Sequence, residues 1–207
     1  MPKGISLHIG VNHVSPHSTD YAKLDLHPLP MCENDANKMK EIAMLEGFES
    51  CHTLFTKDAT YHNFEKLFIE IAGQLVPNDL FLLTFSGHGL SVPDKEGDGD
   101  VEDDGQDESW CLYDQIVLDD HLAKCLAQIR KGVRVVVISD SCNSGTMLKF
   151  HDGDTRWQKP TSKRPFPNER NIVASVVLLA ACMDGYKATA DTDGELSNFT
   201  KDLLAVW

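Results

Sequence analysis

Two apolar runs constrain this chain more than anything else in it, because each is stopped by a glycine-rich turn that carries a reactive side chain. The first is Leu80-Phe81-Leu82-Leu83-Thr84-Phe85-Ser86, followed by Gly87-His88-Gly89. The second is Val133-Arg134-Val135-Val136-Val137-Ile138-Ser139, followed by Asp140-Ser141-Cys142-Asn143-Ser144-Gly145. Short apolar runs of this kind, bounded by turn residues, read as buried strands. The first strand end presents an imidazole and the second a thiol.

The segments around them alternate in period. Residues 4–11 (GISLHIGV) read as a first strand, and residues 13–31, rich in His, Pro, Ser and Asp, as a long loop. Residues 34–46 carry Ala36, Met39, Ile42, Ala43 and Leu45 at helical spacing, with Asn34 or Asp35 as a cap and Gly47 as the stop. Residues 50–56 read as a strand. A helix from Thr60 then aligns Phe64, Leu67, Phe68, Ile71 and Leu75, and Pro77-Asn78-Asp79 breaks it. Residues 109–113 read as a short strand or hairpin arm, 119–130 as an amphipathic helix, 175–182 as a strand and 197–207 as a helix. Strand and helix in alternation predict an α/β fold with a mostly parallel sheet covered on both faces. In such a sheet ligands bind beyond the carboxyl ends of the strands. His88 and Cys142 both follow such ends and are therefore expected on one edge.

At 207 residues, with no internal repeat or low-complexity linker, the chain reads as a single domain, 1–207, with a core of its own. A chain that stops on a helix reads as the N-terminal part of a longer protein. No apolar run reaches the length of a membrane span and the start does not read as a signal peptide, so a cytoplasmic location is expected. The six cysteines stand singly, without a CxxC pair, which argues against zinc ribbons and thioredoxin-type redox motifs. The net charge of −13 is concentrated: residues 94–120 hold twelve acidic side chains and one lysine, a balance of −11. That argues against nucleic-acid binding and favours a cation or a basic peptide as partner.

A thiol attacks as the thiolate, and an imidazole nearby favours that form. Cys142 and His88 are thus a candidate nucleophile and general acid–base pair. The glycines beside them leave room for substrate, and the backbone N–H groups of Gly89 and Cys142 are candidate oxyanion donors. A buried cysteine and a structural histidine at strand ends is the plainer alternative.

Ser86-Gly87-His88-Gly89 and Asp140-Ser141-Cys142-Asn143-Ser144-Gly145 resemble the His and Cys motifs of the caspase-like peptidases of clan CD, in the metacaspase and bacterial orthocaspase branch. The resemblance extends to the first strand ending at Gly10, Cys32-Glu33-Asn34-Asp35-Ala36, Asp104-Gly105-Gln106-Asp107-Glu108, residues 178–184 and Phe199-Thr200. It therefore covers nearly the whole chain. Asn143 stands where many relatives have His. The resemblance implies the caspase-like fold and a cysteine endopeptidase that cuts after Arg or Lys. It implies an S1 pocket built from Asp35, Ser86 and Asp140. Elementary electrostatics agrees with that pocket, since buried carboxylates are costly unless they meet a cation. The alternative for the two acids is a helix cap and a loop anchor.

The resemblance also implies a calcium ion as activator, with Asp107, Asp119 and Asp120 as ligands. The position of a fourth ligand is occupied by Lys149, with Asp152 nearby. A steering field for basic substrates and a merely solvated acidic loop are the other readings of this segment. Residues 151–171 hold Arg156, Lys159, Lys163, Arg164 and Arg170, where caspase relatives join their two subunits. An enzyme with basic specificity is expected to cut itself there. Trp110 and Trp157 are candidates for a substrate groove or for the core. A monomer is the state the resemblance favours, and a non-catalytic or latent caspase-like module acting through partners is the competing class of function.

Overall fold

The computed structural model describes residues 2–93, 106–141, 172–181 and 195–206. Five parallel strands form the central sheet: β1 (Gly4–Gly10), β2 (Ser50–Phe55), β3 (Leu80–Ser86), β7 (Arg134–Asp140) and β8 (Ser175–Ala180), in the order β2-β1-β3-β7-β8. Because β1 lies between β2 and β3, the chain leaves it in one direction through helix α1 (Cys32–Leu45) to β2. It returns past β1 through helix α2 (Tyr61–Gln74) to β3. Parallel crossovers are almost always right-handed, so reversing direction puts the two helices on opposite faces. A second, antiparallel sheet follows β3: β4 (Gly89–Pro93), β5 (Gln106–Cys111) and β6 (Ile116–Leu118). A single 3-10 turn (Thr56–Asp58) and helices α3 (Asp119–Leu126) and α4 (Asn198–Val206) complete the described elements.

The alternation of side chains along each strand divides the core in two. Ile5, Leu7 and Ile9 of β1, Phe81, Leu83 and Phe85 of β3, and Val135 and Val137 of β7 pack against Phe64, Phe68 and Ile71 of α2 and Leu122, Cys125 and Leu126 of α3. Each fully buried side chain of this kind contributes about 1.5–3 kcal/mol. The other face carries Leu82 and Ile138 under Met39, Ile42 and Ala43 of α1, with Phe199, Leu203 and Leu204 of α4 beside them. This second face is smaller and more polar. Ser86 and Asp140 have the parity of Leu82 and Ile138, so they too belong to the α1/α4 side.

Gly10 permits the close approach of α1. A Cβ there would lie 2.4 Å from the carbonyl oxygen of Cys32 and 2.7 Å from the Cα of Glu33. Asn12 then ties the two segments, its side-chain oxygen accepting from the amide of Glu33 at 3.0 Å. Thr60 caps α2, accepting from the amide of Asn63. At α1 the expectation of a cap at Asn34 or Asp35 is corrected: the helix begins at Cys32, Met31 is its N-cap residue, and no side chain caps it. Asp35 lies inside the first turn and its carboxylate is engaged elsewhere. Helix α3 stops at Leu126 rather than Arg130, and Ile129 remains buried in the turn that follows. Trp110 belongs to the core: it is fully buried, stacks on Phe85 at 4.7 Å and donates its Nε1–H to Ser139 Oγ at 2.9 Å. No helix among the described residues is long and apolar enough to cross a membrane. Trp157 and the basic segment 151–171 lie outside the described residues.

His8 lies wholly buried on the α1 face, with Nδ1 3.0 Å from Thr84 Oγ1 and Nε2 2.8 Å from Ser6 Oγ. Burial pushes this imidazole down to about 3, so it is neutral in the fold. The unfolded chain protonates here near the ordinary histidine value. Stability is therefore full above that value and falls as pH drops toward about 3. Between about pH 7 and 5, the wild type should lose about 2 kcal/mol more unfolding free energy than a His8→Asn variant. Equal pH dependence of the two in urea titrations would remove His8 as the source.

Candidate functional site

The strand register aligns one row at the carboxyl edge of the sheet: Gly10 opposite Ser86, and Ser86 opposite Asp140. Ser86 Oγ donates to Asp35 Oδ2 at 2.8 Å, reaching from the end of β3 to the first turn of α1. The beginning of α4 closes the group. The amide of Ser197 donates to Asp35 Oδ1 at 2.9 Å, and its hydroxyl donates to Asp140 Oδ2. Thr200 Oγ1 adds a donor to the same Asp140 oxygen at 3.3 Å. Asp35, Ser86, Asp140, Ser197 and Thr200 are all buried. The three residues expected to form one pocket are thus brought together. Ser197 and Thr200 were not assigned to it from sequence, where Ser197 reads as the start of the last helix.

The electrostatics of this cluster is unusual for acids. Burial raises Asp35 above the usual carboxylate range, against the donors from Ser197 and Ser86. Burial, with the charge of Asp35 adding to it, pushes Asp140 up to about 6 despite the hydroxyls of Ser197 and Thr200. Among the described residues neither acid makes an ion pair. The Cys32 thiol is hydrogen-bonded with Ser86 and is pushed up to about 12 by burial, so it stays protonated.

His88 follows the same strand end two residues on. Gly87 between them must be glycine-sized, since a Cβ would come 2.7 Å from Phe85 Cζ. Its amide donates to the carbonyl of Asp140 at 3.2 Å, tying the two strand ends together. His88 Nε2 lies 2.7 Å from the carbonyl oxygen of His27. A carbonyl only accepts, so Nε2 carries the hydrogen and Nδ1 presents a lone pair. Burial lowers the pKa of His88, the His27 carbonyl opposing the shift, which keeps the ring neutral near neutral pH. A backbone carbonyl has no side-chain signature, which is why His27 escapes a reading of the sequence. The amide of Cys111 donates to the His88 carbonyl at 2.9 Å, making Gly89 and Trp110 a pair without mutual hydrogen bonds. The N–H of Gly89 consequently points away from β5. Strand β7 ends at Asp140, Ser141 follows, and Cys142 lies outside the described residues.

The expected calcium ligands fall around the antiparallel sheet. Asp119 and Asp120 open α3, and Asp119 Oδ1 accepts from the amide of Asp120 at 2.7 Å. Asp120 also faces Lys124 at 3.9 Å. Asp107 lies on β5, and its side chain, like residues 94–105, is outside the described residues. Among the described residues no group of three or more His, Cys, Asp or Glu side chains is arranged to hold a metal. A calcium shell takes six to eight oxygens, and of the expected set only Asp119 and Asp120 have described side chains.

Because the folded value of Asp140 is raised to about 6 from 3.8, the fold binds a proton more tightly than the unfolded chain. Its contribution to stability is greatest below the unfolded value and is lost as pH rises through about 6. We expect Asp140→Asn to raise the unfolding free energy by about 3 kcal/mol near pH 7.5 and to change it little near pH 3. Destabilisation at both pH values in denaturant titrations would show that the buried charge is not what costs.

Comparison with known proteins shows the family of the chain. The caspase domain family, peptidase C14, matches residues 3–207. Metacaspase-1 of Plasmodium falciparum is 27% identical over 199 residues, covering 86% of this chain and 30% of that protein. The chain thus spans less than a third of the length of that relative. A crystal structure of a Geobacter sulfurreducens protein superposes with a TM-score of 0.76 at 35% identity, covering 100% of this chain and 82% of the other. Caspase-1 of Spodoptera frugiperda shares the fold, with a TM-score of 0.58 at 15% identity over 99% of this chain and 69% of its own. The chain belongs to the peptidase C14 caspase-domain family, in its metacaspase branch.

Proposed function

We propose that this chain is a cysteine endopeptidase that cuts after Arg or Lys, with Cys142 as nucleophile and His88 as general acid and base. The observation that carries the reading is the buried carboxylate pair, Asp35 and Asp140, bridged by Ser197 at the strand edge that also carries His88. Two buried acids without an ion-pair partner among the described residues offer their binding energy to an incoming cation. A guanidinium or ammonium at P1 supplies that charge, and the family supplies a peptide bond as the group to be cut. Proteins or peptides with basic residues are the substrates of this reading.

In this mechanism the Cys142 thiolate attacks the scissile carbonyl carbon and a C–S bond forms. The negative charge moves to the carbonyl oxygen, where the amides of Gly89 and Cys142 receive it. The outward N–H of Gly89 supports that role. His88, its Nε2–H directed to the His27 carbonyl, takes the thiol proton at Nδ1 and passes it to the leaving amine as the C–N bond breaks. Water then adds to the thioester with His88 as base, releasing the acid and restoring the thiol. Calcium enters this reading as an activator on the strength of the resemblance alone, and no step runs through it.

A panel of peptides with Arg, Lys or Asp at P1, with calcium or a chelator, tests the proposal. Cleavage of the Arg and Lys peptides alone is expected, abolished in Cys142→Ala and reduced at least about a hundredfold in His88→Ala. For the Arg peptide, KM should rise as pH falls through about 6, where Asp140 takes up its proton. Cleavage by Cys142→Ala at the wild-type rate would overturn the assignment of the nucleophile. Preference for Asp would overturn the pocket. Loss of activity in chelator, restored by calcium, is the outcome expected of an activating ion. Mass spectrometry should find cuts after basic residues within 151–171 in the wild type and none in Cys142→Ala, and equal cleavage in both would remove self-processing.

A further inference from the structure

Ser197 makes more contacts at the carboxylate pair than its place at the start of a helix requires. Its hydroxyl oxygen accepts from the amide of Thr200 at 3.0 Å, the ordinary service of a cap. The same hydroxyl donates to Asp140, and the Ser197 amide donates to Asp35. One residue thus touches both acids, one through its backbone and one through its side chain. Asp35 and Asp140 arrive from different elements, α1 and β7, and lie 162 and 57 positions from Ser197 along the chain. Ser86 secures Asp35 from the opposite side. Asp140 depends on the start of α4 for two side-chain donors, Ser197 and Thr200.

We propose that Ser197 is a positioning residue of the S1 pocket, clamping Asp35 and Asp140 in the geometry that receives a basic P1 side chain. The clamp rests on the Arg/Lys reading given above and adds to it a specificity-setting residue on α4. Two like charges in a buried site repel, and each is free to rotate or to take up a proton unless donors hold it. The hydroxyl of Ser197 opposes the rise of Asp140 caused by burial and by Asp35. Without that donor Asp140 is neutral over more of the working pH range, and a neutral acid attracts no cation. The groups facing Asp140 from the surrounding elements are Asp35 and the Cys32 thiol of α1, Ser197 and Thr200 at the start of α4, and the end of β3 carrying Ser86.

Capping and clamping are separable. Glycine retains most of the capping energy of serine, whereas alanine loses about 1 kcal/mol. Ser197→Gly also keeps the amide that holds Asp35 and removes the hydroxyl that holds Asp140. The expected result for Ser197→Gly and Ser197→Ala alike is a KM for Arg and Lys peptides raised about tenfold near pH 7, with kcat within about twofold. The pH at which KM turns upward should move higher by about one unit, and Ser197→Thr should restore both. The Asp140 carboxyl titration, read by carbon NMR in the Cys142→Ala background with and without Ser197→Gly, reports on the clamp without turnover. An unmoved titration and an unmoved KM profile overturn the clamp, as do losses that follow only the unfolding midpoint. Failure of the Arg/Lys class shows separately, as wild-type protein that ignores the Arg and Lys peptides.

Discussion

Two carboxylates held out of water at the end of a parallel sheet set the terms for this molecule. Asp35 and Asp140 are buried side by side, and both are raised above the carboxylate range because burial penalises their charge. Such a pair is unfavourable to the fold by itself and favourable to a cation that can enter. The surrounding structure accordingly supplies donors: a serine from β3, and an amide and two hydroxyls from the start of α4. The larger apolar core on the opposite face, built on α2 and α3, gives the sheet the rigidity to hold this expense in place.

The same edge brings the carboxylate pair and His88 together by simple chain geometry. β3 contributes Ser86 from its last residue and His88 two residues later, and β7 ends in Asp140 two residues before Cys142 in the sequence. Parallel pairing in register makes these ends neighbours, and the Gly87 amide bonded to the Asp140 carbonyl fixes their spacing. Phe85 stacked on Trp110, whose indole reaches Ser139, packs the floor beneath both. A small change in that floor would be felt at the site, since cores transmit displacement rather than absorb it.

Side-chain parity explains which residues meet. Phe85 and Ser139 flank Ser86 and Asp140 in sequence yet take the opposite face of the sheet, where Trp110 reaches both. Ser86 and Asp140 instead meet α1 and α4. His8 sits on that same face and is satisfied by Ser6 and Thr84, so a buried histidine close in the sheet to the site acts as a neutral part of the packing.

The sequence by itself determined the strands of the central sheet, the helices, and the imidazole and thiol that follow two strand ends. Hydrophobic period and turn residues are local properties, and so are an imidazole and a thiol placed at glycine-rich turns. The parallel sheet followed from alternation of strand and helix. The antiparallel sheet of β4, β5 and β6 was legible only as one short arm, because β4 and β6, five and three residues long, are too short for a period to show. Tertiary structure decided what Asp35 does: a helix-cap pattern and a pocket acid look alike in sequence, and the distinction lies with Ser86, 51 residues away. It also decided that the carbonyl of His27 orients His88 and that Ser197 bridges both acids. A backbone carbonyl leaves no mark in the residue string, and a serine before a helix already has a local reason to be there. Contacts across such separations are created by the packing of α1 and α4 on one sheet face.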